Sequence, residues 1–431
     1  MRRVTIVLLL VFTGYSWAGD NLLDLQQAIT YAIDNDPWLK GNTLNERALL
    51  AESIADGELP DPSLSLGVLN LAADSLAFDQ EPMSQLQVGL TQTFPRGDTL
   101  KLKRRRKREQ SAAYPFLRED RKARLTLRLS LLWLDTFLAR QSVALIENNR
   151  YLFDQLVDIT HANYTATSGS TRQQDVIRAE LELSRLNERL SRLWQGHDVA
   201  QKALGEWLPE RMANRTLPDN LPSSGLASIN DANPEQIRAG ILHHPRVQAL
   251  DRKMASMATG LELARQQYKP EWGLMASYAY RDDGPRGDER ADFFSLGISV
   301  DLPLFTHNRQ DQRVAAANHR WLAVQTERDL LVRELLSGYA QAEAELRRLD
   351  ERKKRYRQYL LPQMHDQADA ALAAYTSDGG DFAEVMRARI GELNTKIMAL
   401  ELTVEQQKTR AKMYYFISHS DAQKGVEGAI K

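Results

Sequence analysis

The chain has 431 residues, 56 of them Lys or Arg and 57 Asp or Glu, a balance that favours neither nucleic acid nor an acidic partner. It is 43% hydrophobic but only 7% aromatic, with 26% charged residues, which suits long solvated helices better than several thick globular cores. The absence of cysteine excludes disulfides, thiolate metal sites, cysteine nucleophiles and lipid attachment to a cysteine at the mature N-terminus.

Residues 1–18 read as a signal peptide. Arg2 and Arg3 give a positive start, Val4 to Phe12 an apolar run, and Ser16 and Ala18 are small enough for a signal peptidase, so the mature chain is expected to begin near Gly19. The run is about half of the roughly 20 residues a membrane anchor needs. No other stretch reads as long enough to cross a bilayer as a helix.

Three prolines recur at a single offset: Pro37 with Pro245, Pro62 with Pro270 and Pro95 with Pro303 are each 208 residues apart. Leu86, Val88, Gly89 and Leu90 fall on Phe294, Leu296, Gly297 and Ile298 at the same offset, so the chain reads as two copies of one unit. The copies are placed at 19–225 and 226–418, with a tail at 419–431.

Each copy opens with two alternating strands, about 62–72 with 85–95 and about 270–281 with 292–303. One face is apolar: Leu64, Leu66 and Val68; Leu86, Val88 and Leu90; Trp272, Leu274, Ala276, Tyr278 and Tyr280; Phe294, Leu296, Ile298, Val300 and Leu302. The other face is small or polar, with Ser63, Ser65 and Gly67, then Gln85, Gln87 and Gly89, and later Gly273, Ser277, Ala279, Ser295, Gly297 and Ser299. About 10 residues per strand matches a tilted crossing of a hydrocarbon layer. An ordinary soluble sheet, packed by its apolar face on helices, fits the alternation as well. Four strands cannot close a membrane barrel, which takes about eight or more, so a barrel reading requires several chains to pool their strands.

Helical pattern follows each strand pair, from about 100 to 162 and from about 308 to 375. Leu131, Leu138, Leu145, Leu152 and Ile159 repeat every seventh residue, the period of a left-handed coiled coil. The helices turn at glycine-marked tips, about 165–172 ("TATSGST") and about 376–382 ("TSDGGD"), and return as second helices. A Pro-, Asn- and Ser-rich break at 208–234 joins the two copies. Pro115 and Pro362 each mark a place where the helix either kinks or restarts.

Chemistry-bearing motifs are sparse. "KLKRRRKR" (101–108) follows directly on a strand exit, where headgroup contact or a solvated helix face outweighs nucleic acid. His243 and His244 are adjacent and diverge on a helix, Met254 and Met257 fit core packing, and "SDGGD" lacks the ligands of a calcium loop; none is entered as a metal site. No phosphate loop, zinc-protease helix, nucleophile elbow or triad is readable, so no enzyme is expected.

The signal peptide, the duplication, the strand pairs and the glycine-marked tips together resemble the outer-membrane efflux proteins, the TolC family. The most specific points are "DNDPWLKG" and "LHHPRVQA" near the start of each copy, "TQTFPRG" and "SVDLPLF" at the strand exits, and "QQDVIRAELEL" and "DFAEVMRARIGEL" after the tips. The resemblance implies a mainly α chain with membrane β: a homotrimer whose chains each give four strands to a 12-stranded outer-membrane barrel, continued by a long α-helical coiled-coil barrel in the periplasm. It implies no cofactor and no nucleic acid; the partners are outer-membrane lipid, a periplasmic adaptor at the tips and an inner-membrane pump, RND type among the options. It also implies a periplasmic gate just after the tips, on Asp175 and Arg178 in the first copy and Glu384 and Arg387 in the second, with Tyr164 and Tyr375 beside them. Where some members carry a second acidic residue both copies here carry arginine, so the ring is mixed in charge. "PMSQLQVGLTQTFPRG" resembles the ducts of heavy-metal pumps; metal, drug, dye and peptide cargo all stay open. The competing reading from another class is a soluble periplasmic coiled-coil adaptor or structural protein.

Overall fold

The computed structural model describes residues 22–165, 173–221, 233–377 and 381–417. The expected signal peptide, the middles of both tips, part of the 208–234 break and the 419–431 tail lie outside them.

Eleven α-helices and four strands are present among the described residues. In chain order these are α1 (Leu25–Asp34), α2 (Pro37–Ala55), β1 (Ser63–Leu69), β2 (Gln85–Phe94), α3 (Thr99–Ser111), α4 (Tyr114–Thr165), α5 (Gln173–Leu204) and α6 (Glu210–Ala213). There follow α7 (Pro234–Leu242), α8 (Pro245–Arg265), β3 (Glu271–Tyr280), β4 (Phe293–Asp301), α9 (Gln310–Arg355), α10 (Leu361–Thr376) and α11 (Phe382–Phe416). All four strands stand where alternation placed them, within two or three residues.

Two helix starts at the 208-residue offset are built alike. Asp36 and His244, 208 residues apart, are both N-caps followed by proline: the Asp36 carboxylate accepts from the Trp38 N–H at 3.1 Å, and His244 Nδ1 accepts from the Arg246 N–H at 3.2 Å. Pro115 restarts a helix, since α3 ends at Ser111 and α4 begins at Tyr114. Pro362 sits in the first turn of α10, directly after a π-helical turn at Tyr356–Leu360 that interrupts the line of α9.

The chain divides into two compact units that cut across the repeats. The first takes in residues 1–34, 128–227 and 352–405. One of its cores sets Leu23, Leu25, Ala28 and Ile29 against Leu129, Trp133 and Phe137 of α4, and the Trp133 indole N–H donates to the Leu23 carbonyl at 2.9 Å. Another joins Val143, Ile146, Phe153 and Leu156 of α4, Ala179, Leu186 and Leu190 of α5, and Phe382, Val385 and Met386 of α11. The buried seam of α4 therefore differs from the leucine repeat read in the sequence. Leu125, Leu132, Ile146, Phe153 and Thr160 are buried, as are Leu129, Thr136, Val143 and Val157 in the interleaved row, whereas Leu131, Leu138, Leu145 and Leu152 are half-buried and Ile159 is exposed. Thr136 and Thr160 fit the dry seam because their hydroxyls donate to the carbonyls of Leu132 and Leu156, at 2.9 and 2.7 Å.

An 18-residue window of the Thr99–Ala162 helical stretch does reach a mean hydropathy of 1.3, enough by length and composition to cross a membrane. That corrects the sequence expectation of no such stretch. With 61% of the window buried inside the chain, it has the burial of a core helix.

The second unit takes in residues 35–127, 228–351 and 406–431 and holds the sheet. The sheet is antiparallel, in the order β1-β2-β3-β4, and leaves β1 and β4 as edges. Among its helices Ile241, Val247, Leu331, Leu335 and Tyr339 form a core with Met413 of α11.

Candidate functional site

Strand register decides which side of the sheet is which. Leu66 pairs with Val88, Val88 with Tyr278 and Tyr278 with Phe294, so one transverse row is apolar in all four strands. The next row, Ser65, Gly89, Ser277 and Ser295, is small in all four. A one-residue slip anywhere would mix the two faces. Among the described residues no helix covers the apolar face: Leu64, Leu66, Phe294, Leu296 and Ile298 are 67 to 73% exposed. The described helices thus do not pack on that face as a soluble sheet would require.

The small face is crowded and internally bonded. A Cβ on Gly89 would meet Ser65 Oγ at 2.7 Å and one on Gly273 would meet Ser299 Oγ at 2.4 Å. The Gln87 amide donates to Ser277 Oγ at 2.9 Å. Glycine and serine keep this side narrow, while full-sized side chains populate the other.

Where the sheet meets the helices, two resemblance motifs touch. Arg96 of "TQTFPRG", 8% exposed, donates to the carbonyls of Gln267 and Lys269 at 3.2 and 2.9 Å and pairs with Asp301 of "SVDLPLF". Gly97, at φ +48°, lets the chain turn against Lys269, where a Cβ would come within 2.3 Å of the side chain. Arg96 thereby ties the exit of β2 to the entry of β3 and the exit of β4. Neither motif by itself shows this tie; the signal in the sequence is a lone arginine between proline and glycine after a strand.

The six residues expected at a gate lie at the ends of the hairpin helices. Asp175 is half-buried in the first turn of α5, and Arg178, one helical turn on, is exposed. Glu384 occupies the first turn of α11 and is exposed, and Arg387 Nε donates to the Ala383 carbonyl at 3.1 Å, so Glu384 and Arg387 form no i, i+3 ion pair within the chain. Asp381 caps the same turn, its carboxylate accepting from the Ala383 N–H at 3.0 Å. Tyr375 meets Phe382 edge-on at 5.8 Å between ring centres; Tyr164, at the end of α4, is 48% exposed. The first turns of α5 and α11 are brought together by the core that Ala179 shares with Phe382, Val385 and Met386.

Higher on the same hairpin lies a network the sequence did not announce. Glu392 accepts from Arg389 at 2.9 Å, from Lys396 at 2.8 Å and from His365 at 2.9 Å, and Arg389 also holds Asp369 at 2.9 Å. Burial opposes ionisation of Glu392, but the bonds from Lys396, His365 and Arg389 outweigh it and hold its carboxyl down at about 2. Among the described residues no cluster of His, Asp and Glu is arranged to hold a metal ion.

No family model matches the sequence. No curated protein matches it either. Solved structures match over nearly the whole chain. VceC, an outer membrane protein of Vibrio cholerae, aligns with a TM-score of 0.75 at 14% identity, over 92% of this chain and 96% of its own. The CmeC outer membrane channel of Campylobacter jejuni gives 0.76 at 11% identity, over 94% and 89%. CusC, described for its transmembrane channel formation, gives 0.75 at 16% identity, over 95% and 96%. At these identities the likeness establishes the fold: a chain of the TolC-type outer-membrane channel architecture.

Proposed function

We propose that this chain, having that fold, is the outer-membrane exit duct of a tripartite efflux system. The observation that carries the reading is the open four-stranded sheet, with two edges and an apolar face that none of the described residues covers. In lipid an open edge leaves backbone donors and acceptors unsatisfied, at several kcal/mol each, so the sheet must close with copies of itself. Three copies give the 12-stranded barrel, apolar side to lipid and the glycine–serine side to a water-filled lumen.

The helices then continue the duct into the periplasm, and their tips meet an adaptor that links the duct to an inner-membrane pump. Asp175, Arg178, Glu384, Arg387, Tyr164 and Tyr375 make up its closed end. In a trimer the exposed Arg178 and Glu384 recur three times around a narrow ring, where charges of opposite sign on neighbouring chains meet. The duct carries small toxic solutes, with heavy-metal ions as the cargo suggested by the strand-exit resemblance; the chain does no chemistry on them.

The test is detergent extraction of outer membranes, followed by size determination and planar-bilayer conductance of the purified species. A trimer of low conductance from the outer-membrane fraction supports the duct. A soluble monomer without conductance refutes it in favour of the periplasmic adaptor.

A further inference from the structure

The N-cap of the second repeat differs in kind from that of the first. Asp36 is an anion held by Arg121, whose Nε donates to it at 2.8 Å. Its counterpart His244 is completely buried, and its two contacts fix its protonation: Nδ1 accepts from the Arg246 N–H at 3.2 Å, and Nε2 donates to the Tyr415 carbonyl at 3.1 Å. Only the neutral ring protonated on Nε2 satisfies both. The ring also stands edge-on against Tyr415, 5.1 Å between centres.

The groups around it come from four helices. Arg246 belongs to α8 itself and reaches Glu334 of α9 at 3.5 Å; Asp120 and Arg124 of α4 pair at 2.5 Å; the Tyr415 hydroxyl of α11 donates to Asp120 at 3.1 Å. Burial pushes the His244 imidazole down to about 4, and the nearby Arg246 and Arg124 guanidinium groups oppose its charging further. Burial raises the Asp120 carboxyl from its ordinary value and lifts the Tyr415 hydroxyl to about 12, so neither titrates as an ordinary surface group. A cavity of about 800 Å³, lined by Asp120, Arg124, Arg246 and Glu334 among others, gives water a way to the cluster.

We propose that His244 is a proton-released latch, holding the C-terminal end of α11 on the start of α8 while neutral and letting go when it takes a proton. Protonation converts Nδ1 from acceptor to donor, which leaves the Arg246 N–H without its cap. It also sets a cation at the positive end of the α8 dipole and beside two arginines. The Nε2–H bond to the Tyr415 carbonyl favours the charge, but burial, the lost cap and the two arginines outweigh it and act against the closed arrangement. The corresponding cap of repeat 1 is a carboxylate with its own arginine, and no imidazole stands there.

Hydrogen exchange on the full-length protein in detergent reads the latch directly and needs no channel activity. Protection is followed at residues 246–248 and 413–417 from about pH 7.5 to about pH 5, normalised to the 129–137 segment of the same chain. With an ordinary histidine pKa in the open state and about 4 in the closed one, the opening constant rises about 30-fold over that window. His244→Asn keeps a good N-cap that cannot take a proton, and is expected to be flat; Asp120→Asn is expected to keep the rise. A wild-type chain without the rise overturns the latch, as does a rise that survives in His244→Asn. Should His244→Asn fail to fold, the wild-type series and Asp120→Asn still decide, because loss of the rise in Asp120→Asn would assign the proton elsewhere.

Discussion

Arg96 shows how much one side chain can hold at the joint between sheet and helices. Removing its guanidinium takes away charge-assisted bonds to two backbone carbonyls and to Asp301. Arg96→Met is expected to cost about 2–3 kcal/mol, read as a lower denaturation temperature of the purified protein. Arg96→Lys should recover only part, since an ammonium cannot span the same three acceptors. Glu392 gives a pH signature of its own. Its carboxyl is held at about 2 in the folded chain, so the folded state binds fewer protons than the unfolded one between the ordinary carboxylate value and 2. The resulting stability is complete above that window and is lost as pH falls through it, about 1–2 kcal/mol after allowing for solvent screening. Glu392→Gln should lower stability at neutral pH and flatten the acid limb of an unfolding titration. At the tips, neutralising both acids as Asp175→Asn with Glu384→Gln is expected to raise single-channel conductance and antibiotic leakage several-fold; unaltered values would take these residues out of the gate. Arg96, Glu392 and His244 were illegible in the sequence for one reason. Each needs at least one partner between 27 and 205 residues away, and no local spacing encodes such a meeting.

At the scale of the element, strands were more legible than helix interiors. Alternation of period two marks both faces of a strand at once, and the 208-residue repeat let each strand pair corroborate the other. The α4 seam misled because leucine was taken as the mark of burial, while the buried rows mix Leu, Ile, Phe and Val with Thr136 and Thr160, two threonines that satisfy their own hydroxyls. The proline questions had physical answers that the sequence could pose without deciding: Pro115 starts a helix, and Pro362 follows a π turn. The two sheet faces should respond oppositely to charge. Ile298→Arg, midway along β4 on the uncovered face, is expected to cost about 2–4 kcal/mol and to reduce the amount assembled in the outer membrane. Ser295→Arg, on the small face of the same edge strand, should leave assembly near the wild-type level and alter conductance instead. Quantifying the protein in outer-membrane fractions separates the two.

For the whole molecule, the two compact units do not follow the copies read at 19–225 and 226–418: each unit draws on both stretches of sequence. The strands of both copies enter one sheet, with β2 of the first pairing along nine residues with β3 of the second. That pairing requires the chain to bring together segments about 190 residues apart, and such non-local contacts make for slow folding. The unpaired edges of β1 and β4 have a further consequence, in genetics. If a ring closes only when every edge finds its mate, a chain with one spoiled edge spoils each ring it enters. Co-expressed in equal amount with the normal chain, it would leave about one ring in eight made wholly of normal copies. Such an allele should behave as a dominant one, lowering resistance to exported compounds far below the half that simple loss of one copy would leave.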